Sequence, residues 1–459
     1  MLNENALTQL GESVRGKLIK PGDGNYDESR KIWNAMIDRK PALIVQAANA
    51  DDVSSAIKFA VANKLDITVR GAGHNIAGNC ICDGGLMIDF SAMKKVQVDA
   101  DKKIALVQPG ATLKDFDAEA QKYGLATPVG INSTTGIAGL TLGGGFGWLT
   151  RKYGFTIDNL LSAEVVTVDG KKLKASDKEN TDLFWAIRGG GGNFGVVTEF
   201  EFKLHPVGPE ILAGLLVFPF DQAKSILNQY KNFITTTPPE FNVWVVLRKA
   251  PPLPFLPEDV HGKEVVVLAI AVVSEFDKGE KLIESIRGFG EPVGEQIGRM
   301  PYVNWQQAFD PLLTPGARNY WKSHNFIELK DDALDLMVEY AGKLPTPQCE
   351  IFIGYLEGKF NTVPVNEMAY PNRDLKYILN VHGRWDDANQ DKMGISWARD
   401  FFTATSKYAS AGAYVNFMTE DEQDRVTKAY GPNYNKLVDI KKKYDPNNLL
   451  KHNQNIKPE

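Results

Sequence analysis

The sequence predicts an α+β protein whose glycine-punctuated N-terminal half is joined to a C-terminal half of longer strands and longer helices. Three observations carry that expectation. At 459 residues the chain exceeds what one compact core holds and divides more naturally into two domains or subdomains. Around the glycine loop at 189–195 the order is helix, loop, strand, the reverse of the strand–loop–helix order of a doubly wound nucleotide-binding sheet. After His205-Pro206-Val207-Gly208, the strongest boundary in the chain, short strands give way to longer strands paired with covering helices.

Taken in order, residues 1–40 are weakly patterned, with a Pro-Gly-Asp-Gly turn at 21–24, and are expected to lie across a later domain. Val53, Ala56, Ile57, Ala60 and Val61 make an apolar helical stripe over Asp51–Asn63, with Asp51 or Asp52 available as its cap. A β-branched run at 65–70 then enters a turn, Gly71–Gly78, in which His74 is the only large polar ring. Short strands are expected at 84–89, near Val96 and at 104–108, followed by a helix over Thr112–Tyr123 that Gly124 ends. Residues 127–147 are mostly Gly, Thr, Ser and small apolar residues, ill suited to a regular buried element and well suited to backbone approaching a ligand closely.

Asp169-Gly170 is the strongest hairpin signal, flanked by strands at 163–168 and 171–175. A short helix at 180–188, capped by Asn180, runs into Gly189–Gly192, and Val196, Thr198, Phe200, Phe202 and Leu204 alternate along the strand that follows. Beyond residue 208, strands are expected near 212–218, 241–248, 264–273, 350–356 and 376–385, and helices near 221–236, 277–288, 331–343 and 391–408. Such an arrangement leaves one sheet face open for a ligand. The tail from Tyr414 reads as a short extended segment and two helices.

A formal charge of −5 and 24% charged residues argue against a nucleic-acid surface. Three cysteines, Cys80, Cys82 and Cys349, form no closed disulfide framework, and no His or Cys spacing fits a metal site. With no targeting segment and no membrane-length apolar run, the expectation is a cytoplasmic protein without a membrane partner. The 71–78 turn after its strand pairs closely approaching backbone with a nucleophilic ring, an arrangement able to hold a phosphate-bearing cofactor and bond to it.

Four stretches in this order, VRGAGHNIAG (69–78), PVGINSTTGIAGLTLGGGFGWLTRKYG (128–154), GGGGNFGVVTEFEFKL (189–204) and YVNF…YDPNN…QNI (414–456), resemble the berberine bridge enzyme-like oxidases, flavoproteins of the vanillyl-alcohol oxidase superfamily. The resemblance implies a PCMH-type FAD-binding domain of two α+β subdomains over 1–208, with its core at about 35–208. It implies a substrate domain with a helix-covered antiparallel sheet over 209–410, and a C-terminal segment, 411–459, completing the FAD domain. It implies FAD bonded through its 8α-methyl to His74, with Arg70, Gly71, Ala72, Gly73, Asn75, Gly78 and Asn79 around the pyrophosphate. Gly130, Thr134, Thr135, Gly136, Gly139, Gly144, Gly145, Val196, Asn416 and Asn448 complete the implied cofactor set.

The cysteine through which many relatives attach the flavin a second time falls on Asn132, so attachment through His74 alone is expected, as in members similar to 6-hydroxy-D-nicotine oxidase. Thr135 aligns with the position at which a small branched side chain admits O2 in the family, so the resemblance implies an oxidase releasing H2O2. A dehydrogenase with another acceptor and a non-catalytic flavin-binding protein are the alternatives.

Hydride transfer to flavin needs a nearby base for the substrate's O–H or N–H proton. Tyr414 is the first candidate, on an extended segment that points Tyr414 and Asn416 the same way. The carboxylate that relatives carry on the 376–385 strand aligns with Ile378, leaving Asn380 and His382 on its face; Tyr320 and His324 are further candidates. The substrate would be a small organic molecule, a sugar, alcohol, polyketide or N-heterocycle.

Overall fold

A computed structural model describes residues 2–410 and 412–459. Its first sheet contains β1 (Lys17–Ile19), β2 (Leu43–Gln46), β3 (Ile67–Arg70) and β4 (Leu86–Asp89) in the order β1-β2-β4-β3, with β2 and β3 both parallel to β4. The helix Ala50–Ala62 connects β2 to β3. Asn49 caps it, because its Oδ1 accepts from the Asp51 and Asp52 amides, and neither aspartate serves as the cap. Asp52 instead accepts the amides of Arg15, Gly16 and Ala48, tying the N-terminal segment to this sheet. Part of that segment does cross to the later half: the Ala35 amide donates to Ala317 O and Asn34 Nδ2 to Asn319 O.

The second sheet joins β5 (Val96–Asp99), β6 (Ile104–Val107), β8 (Leu160–Val166), β9 (Lys172–Ser176) and β10 (Val196–Lys203) in the order β5-β6-β10-β8-β9, while β7 (Leu125–Ala126) pairs with β11 (His205–Pro206). The β8–β9 hairpin closes through Gly170, whose φ of +79° favours the residue without a side chain. Asn180 departs from expectation. It takes a left-handed conformation and its Nδ2 donates to Lys174 O, so it does not cap the helix Thr181–Ile187. The glycine-rich stretch 127–147 also holds a regular element, the six-residue helix Ile137–Leu142.

The third sheet is antiparallel and seven-stranded: β12 (Glu210–Pro219), β13 (Phe241–Lys249), β14 (Glu264–Val272), β15 (Gly294–Pro301), β16 (Arg318–Phe326), β17 (Glu350–Tyr355) and β18 (Tyr377–Trp385), in the order β15-β12-β14-β13-β17-β18-β16. The outer strands β15 and β16 were not anticipated. Two glycines, a proline and several polar residues in β15, and the polar run of β16, mask the alternation that marks a strand.

Side chains two apart share a face, and this sheet uses both faces. Val243, Val245, Leu268, Ile351 and Leu379 pack beneath the helices Ala223–Ile234, Asp331–Ala341 and Asp391–Thr405. The intervening Trp244, Val246, Val267, Phe352 and Ile378 belong to a separate core that includes Trp148, Phe155 and Tyr414 from the other half and the tail. Ala413, Val415, Met418, Leu437 and Ile456 of the C-terminal segment share a third core with Val107, Val165 and Phe200 of the second sheet. The sheet face turned from its helices therefore meets the glycine-rich half, and a cavity lies between them.

Candidate active site

One end of the cavity is backbone. At Gly71–Asn75, where β3 ends, Gly73 has a φ of +76°, and the amides of Gly71, Ala72, Gly73 and His74 donate to no acceptor among the described residues, while that of Asn75 faces the Cys80 thiol. Successive free N–H groups in such a turn form a concavity suited to an anion. The turn fits tightly against the 130s stretch: a Cβ on Gly136 would lie 2.8 Å from the Ala72 nitrogen. It is held from outside by the Trp33 amide on Gly73 O, Asn34 Nδ2 on Ile76 O and Arg39 Nη1 on Gly78 O. Two unpartnered buried atoms, Asn79 Nδ2 and Asn453 Oδ1, belong to residues lining the same end. This set fits the phosphates and polar groups of a dinucleotide.

His74 lines the cavity beside this turn. Its Nε2 lies 2.8 Å from Thr134 Oγ1, and its ring stacks on Trp33 with centroids 5.0 Å apart. Burial, and then the charge of Arg384, push its pKa down to about 3, so the imidazole is neutral at physiological pH. Cys80 also reaches the wall, with burial pushing its thiol up to about 11. That position favours an unreactive thiol.

The other end of the cavity is built of side chains. Arg248 of β13, Glu350 of β17, Asn380 and His382 of β18 and Trp321 of β16 line it. Register explains the grouping, since Glu350 is paired directly with His382 and Trp321 sits opposite His382 on the other side. Arg248 Nη1 lies 2.9 Å from Glu350 Oε2, and His382 lies 3.3 Å by Nδ1 from Glu350 Oε1 and 3.4 Å by Nε2 from Asn319 Oδ1. Burial draws the Glu350 carboxyl upward, but Arg248 and then His382 outweigh it and hold the group below its ordinary range. Burial depresses His382 more than Glu350 raises it. A neutral His382 thus faces two oxygens with one proton to share. A second proton would satisfy both.

The expected extended segment at 414–417 is a tight turn, with the Phe417 amide on Tyr414 O, so Tyr414, Val415, Asn416 and Phe417 all reach the cavity wall. Tyr414 Oη accepts from the Gly145 amide and Asn416 Nδ2, each at 3.1 Å, while burial still pushes its pKa up to about 12. Its own O–H has no acceptor among the described residues.

Among the residues anticipated for the cofactor, Gly71, Ala72, Gly73, His74, Asn75, Asn79, Gly130, Thr135, Gly136, Gly139, Val196 and Asn416 line the cavity. Arg70 does not, because its guanidinium pairs with the fully buried Asp89 and with Lys31 O, fixing the end of β3. Gly78 packs on Ile37, Gly144 and Gly145 lie behind Tyr414 and Thr156, and Thr134 reaches the site through His74. Asn448 sits in the turn after the last helix at φ +51°, while Leu450, Asn453 and Gln454 occupy the wall. Tyr320 and His324 fall on the helix-covered side of β16, against Asp421 and Phe402. Glu350 and Arg248 escaped the sequence reading; two-residue alternation with Phe352 and Val246 is the signal that would have found them.

Comparison with known proteins gives the family and the fold. Residues 41–176 match the family model described as FAD binding domain, and residues 413–457 match the one described as berberine and berberine like. An FAD-linked oxidoreductase of Dictyostelium discoideum is 35% identical over 98% of this chain and 97% of its own. (R)-6-hydroxynicotine oxidase of Paenarthrobacter nicotinovorans is 30% identical over 97% of this chain and 98% of its own. Among solved structures, 6-hydroxy-D-nicotine oxidase from Arthrobacter nicotinovorans superposes with a TM-score of 0.86 at 27% identity, covering 97% of this chain and 99% of that one. The fold is shared with glucooligosaccharide oxidase from Acremonium strictum, at a TM-score of 0.88 and 22% identity over 99% and 98% of the two chains. No described helix is long and apolar enough to cross a membrane, and no described group of three His, Cys, Asp or Glu could hold a metal ion.

Proposed function

This chain belongs to the berberine bridge enzyme-like family of FAD-linked oxidoreductases, and we propose that it is an oxidase carrying FAD on His74 alone and acting on an apolar, ring-bearing alcohol or amine. The observation that carries this reading is the single cavity joining the Gly71–Asn75 turn and His74 to the Glu350–His382 pair. FAD, when bound, supplies the hydride acceptor. The free amides of the turn and the Asn79 side chain would hold its phosphates, and His74 would be the tether.

His382 is the better proton acceptor, which revises the priority given to Tyr414. A base drawing a proton from an O–H or N–H near neutral pH needs a pKa in that region. Burial moves Tyr414 away from it, to about 12, and no cation offsets that shift. His382 gains a hydrogen bond by taking a proton, and Glu350 stabilises the resulting cation. Tyr414, with its O–H free, would donate to the substrate and orient it, and the unpartnered Trp321 Nε1 and Asn380 Nδ2 would do likewise.

The residues of the wall support the proposed substrate class. Leu215, Val217, Trp244, Val246, Val267 and Phe352 face the cavity from the sheet. A sugar would leave several hydroxyls without partners against this surface, at about 1–3 kcal/mol each. An apolar ring carrying a hydrogen-bond acceptor meets the available donors. Thr135 on the wall and Asn132 in place of a second-link cysteine support the O2 and single-attachment parts of the reading.

Acid precipitation tests the tether: flavin should stay in the pellet for the native chain and appear in the supernatant for His74→Ala. Screening aromatic and aliphatic alcohols and amines under anaerobic conditions should reveal a substrate that bleaches the flavin, and admitting air should restore the colour with equimolar H2O2. Slow reoxidation in air would make the protein a dehydrogenase instead.

A further inference from the structure

We infer that Asn132 and Thr134 fix the tautomer of His74 so that Nδ1 is the ring nitrogen that bonds to the flavin. The inference rests on the histidyl attachment proposed above and extends it to two residues with no part in the oxidation itself.

Hydrogen-bond direction sets the tautomer. The Thr134 amide, which only donates, lies 3.0 Å from Asn132 Oδ1, and Asn132 Nδ2 donates to Leu313 O at 3.4 Å, so the amide orientation is set at both ends. Thr134 Oγ1 is 2.7 Å from the same Oδ1. A carbonyl oxygen accepts only, so the threonine proton is committed to Asn132. Facing His74 Nε2 at 2.8 Å, Thr134 Oγ1 can then only accept, and Nε2 must carry the imidazole proton.

A neutral ring has one N–H, and its other nitrogen, Nδ1, holds the free lone pair without a described partner. The depressed pKa of His74 keeps that lone pair available. Trp33, stacked on the ring, donates its Nε1–H to the Leu313 carbonyl that also accepts from Asn132, so ring plane and tautomer share an anchor. Position 132 thus serves attachment by orienting a nucleophile where doubly linked relatives would place a second one.

The bond forms between Nδ1 and the 8α-methyl carbon of the flavin. The methyl group gives up one proton and the imidazole its Nε2 proton. Two electrons pass to the flavin ring and on to molecular oxygen, which leaves with the two protons as H2O2.

The test uses the full-length protein supplied with FAD, following conversion of bound flavin to acid-stable flavin. Compared at equal flavin content, Thr134→Val and Asn132→Ala should link bound flavin at least tenfold more slowly than the native chain. Thr134→Ser should restore the rate to within about twofold. Proteolysis of the native holoenzyme and NMR of the flavin-bearing peptide should show substitution at Nδ1. Substitution at Nε2 overturns the inference, as does linkage at the native rate in both Thr134→Val and Asn132→Ala when His74→Ala abolishes it. Acid-stable flavin in His74→Ala overturns the attachment itself, an outcome distinct from failure of the relay.

Discussion

The turn at Gly71–Asn75 and the sheet face carrying Arg248, Glu350, Asn380 and His382 bound the same cavity, but the first offers its ligand backbone and the second offers side chains. Four consecutive residues, Gly71 to His74, supply the free amides at one end. Three strands of the seven-stranded sheet supply the four polar side chains at the other, from positions as far apart in sequence as 248 and 382. A backbone site needs particular conformations and close approach, so it tolerates few residue types. A side-chain site needs only that a register bring the right groups together, which leaves the neighbouring residues free to vary.

The largest effect should come from obstructing the backbone end. Gly136→Val puts a branched side chain where even a Cβ would come within 2.8 Å of the Ala72 nitrogen and 3.0 Å of its Cβ. Flavin content of the purified protein, read from visible absorbance, should fall at least tenfold, with circular dichroism retained. Full flavin loading in this variant would mean that the 71–75 turn has room to move, and the contrast with the adaptable sheet end would fail.

That difference also governs what was legible in the sequence. The turn, its histidine, the 130s stretch and the 189–195 loop could be read because glycines mark them contiguously, and most of those residues do line the cavity. The third sheet was legible where Val, Ile and Leu run densely, as in β13 and β14, and not at β15 or β16, whose polar side chains are explained by neighbours in space. Glu350 was missed because its strand reads as an apolar run with one acid at its start. Nothing in sequence order says that this acid meets His382 across a strand pair. The Tyr414 segment differs from the expected extended one for a local reason: four residues are too few for alternation to distinguish a strand from a tight turn.

At the side-chain end the expected losses are kinetic. With flavin retained, His382→Gln should lower kcat by about 10²- to 10³-fold, the range for removing a general base. Tyr414→Phe, which keeps the ring and removes only the O–H, should cost about tenfold and act mainly on KM, since a lost orienting hydrogen bond is worth about 1–1.5 kcal/mol. Steady-state kinetics on one substrate measures both. If Tyr414→Phe proved the more damaging in kcat, the proton would go to the phenol and His382 would be an anchor.

The most discriminating effect concerns Glu350. Its hydrogen bond and charge both raise the pKa of His382, against burial and the charges of Arg384 and Arg248. The net shift is downward, so the acid limb of kcat/KM should lie below pH 6.5, the ordinary histidine value, with activity present above it and lost as pH falls and the base becomes protonated. Glu350→Gln removes the raising influence and keeps the shape, so the limb should move to still lower pH. At neutral pH the variant should be about tenfold slower, because the weaker base is no longer helped by an anion once it holds the proton. The two shifts must occur together, since both follow from one interaction. If Tyr414 were the base, the decisive limb would lie on the alkaline side, near the raised pKa of a buried phenol, and Glu350→Gln would leave it in place. A pH profile of the native chain and this one variant therefore decides whether the chemistry is run by the sheet face or by the turn that follows Ala413.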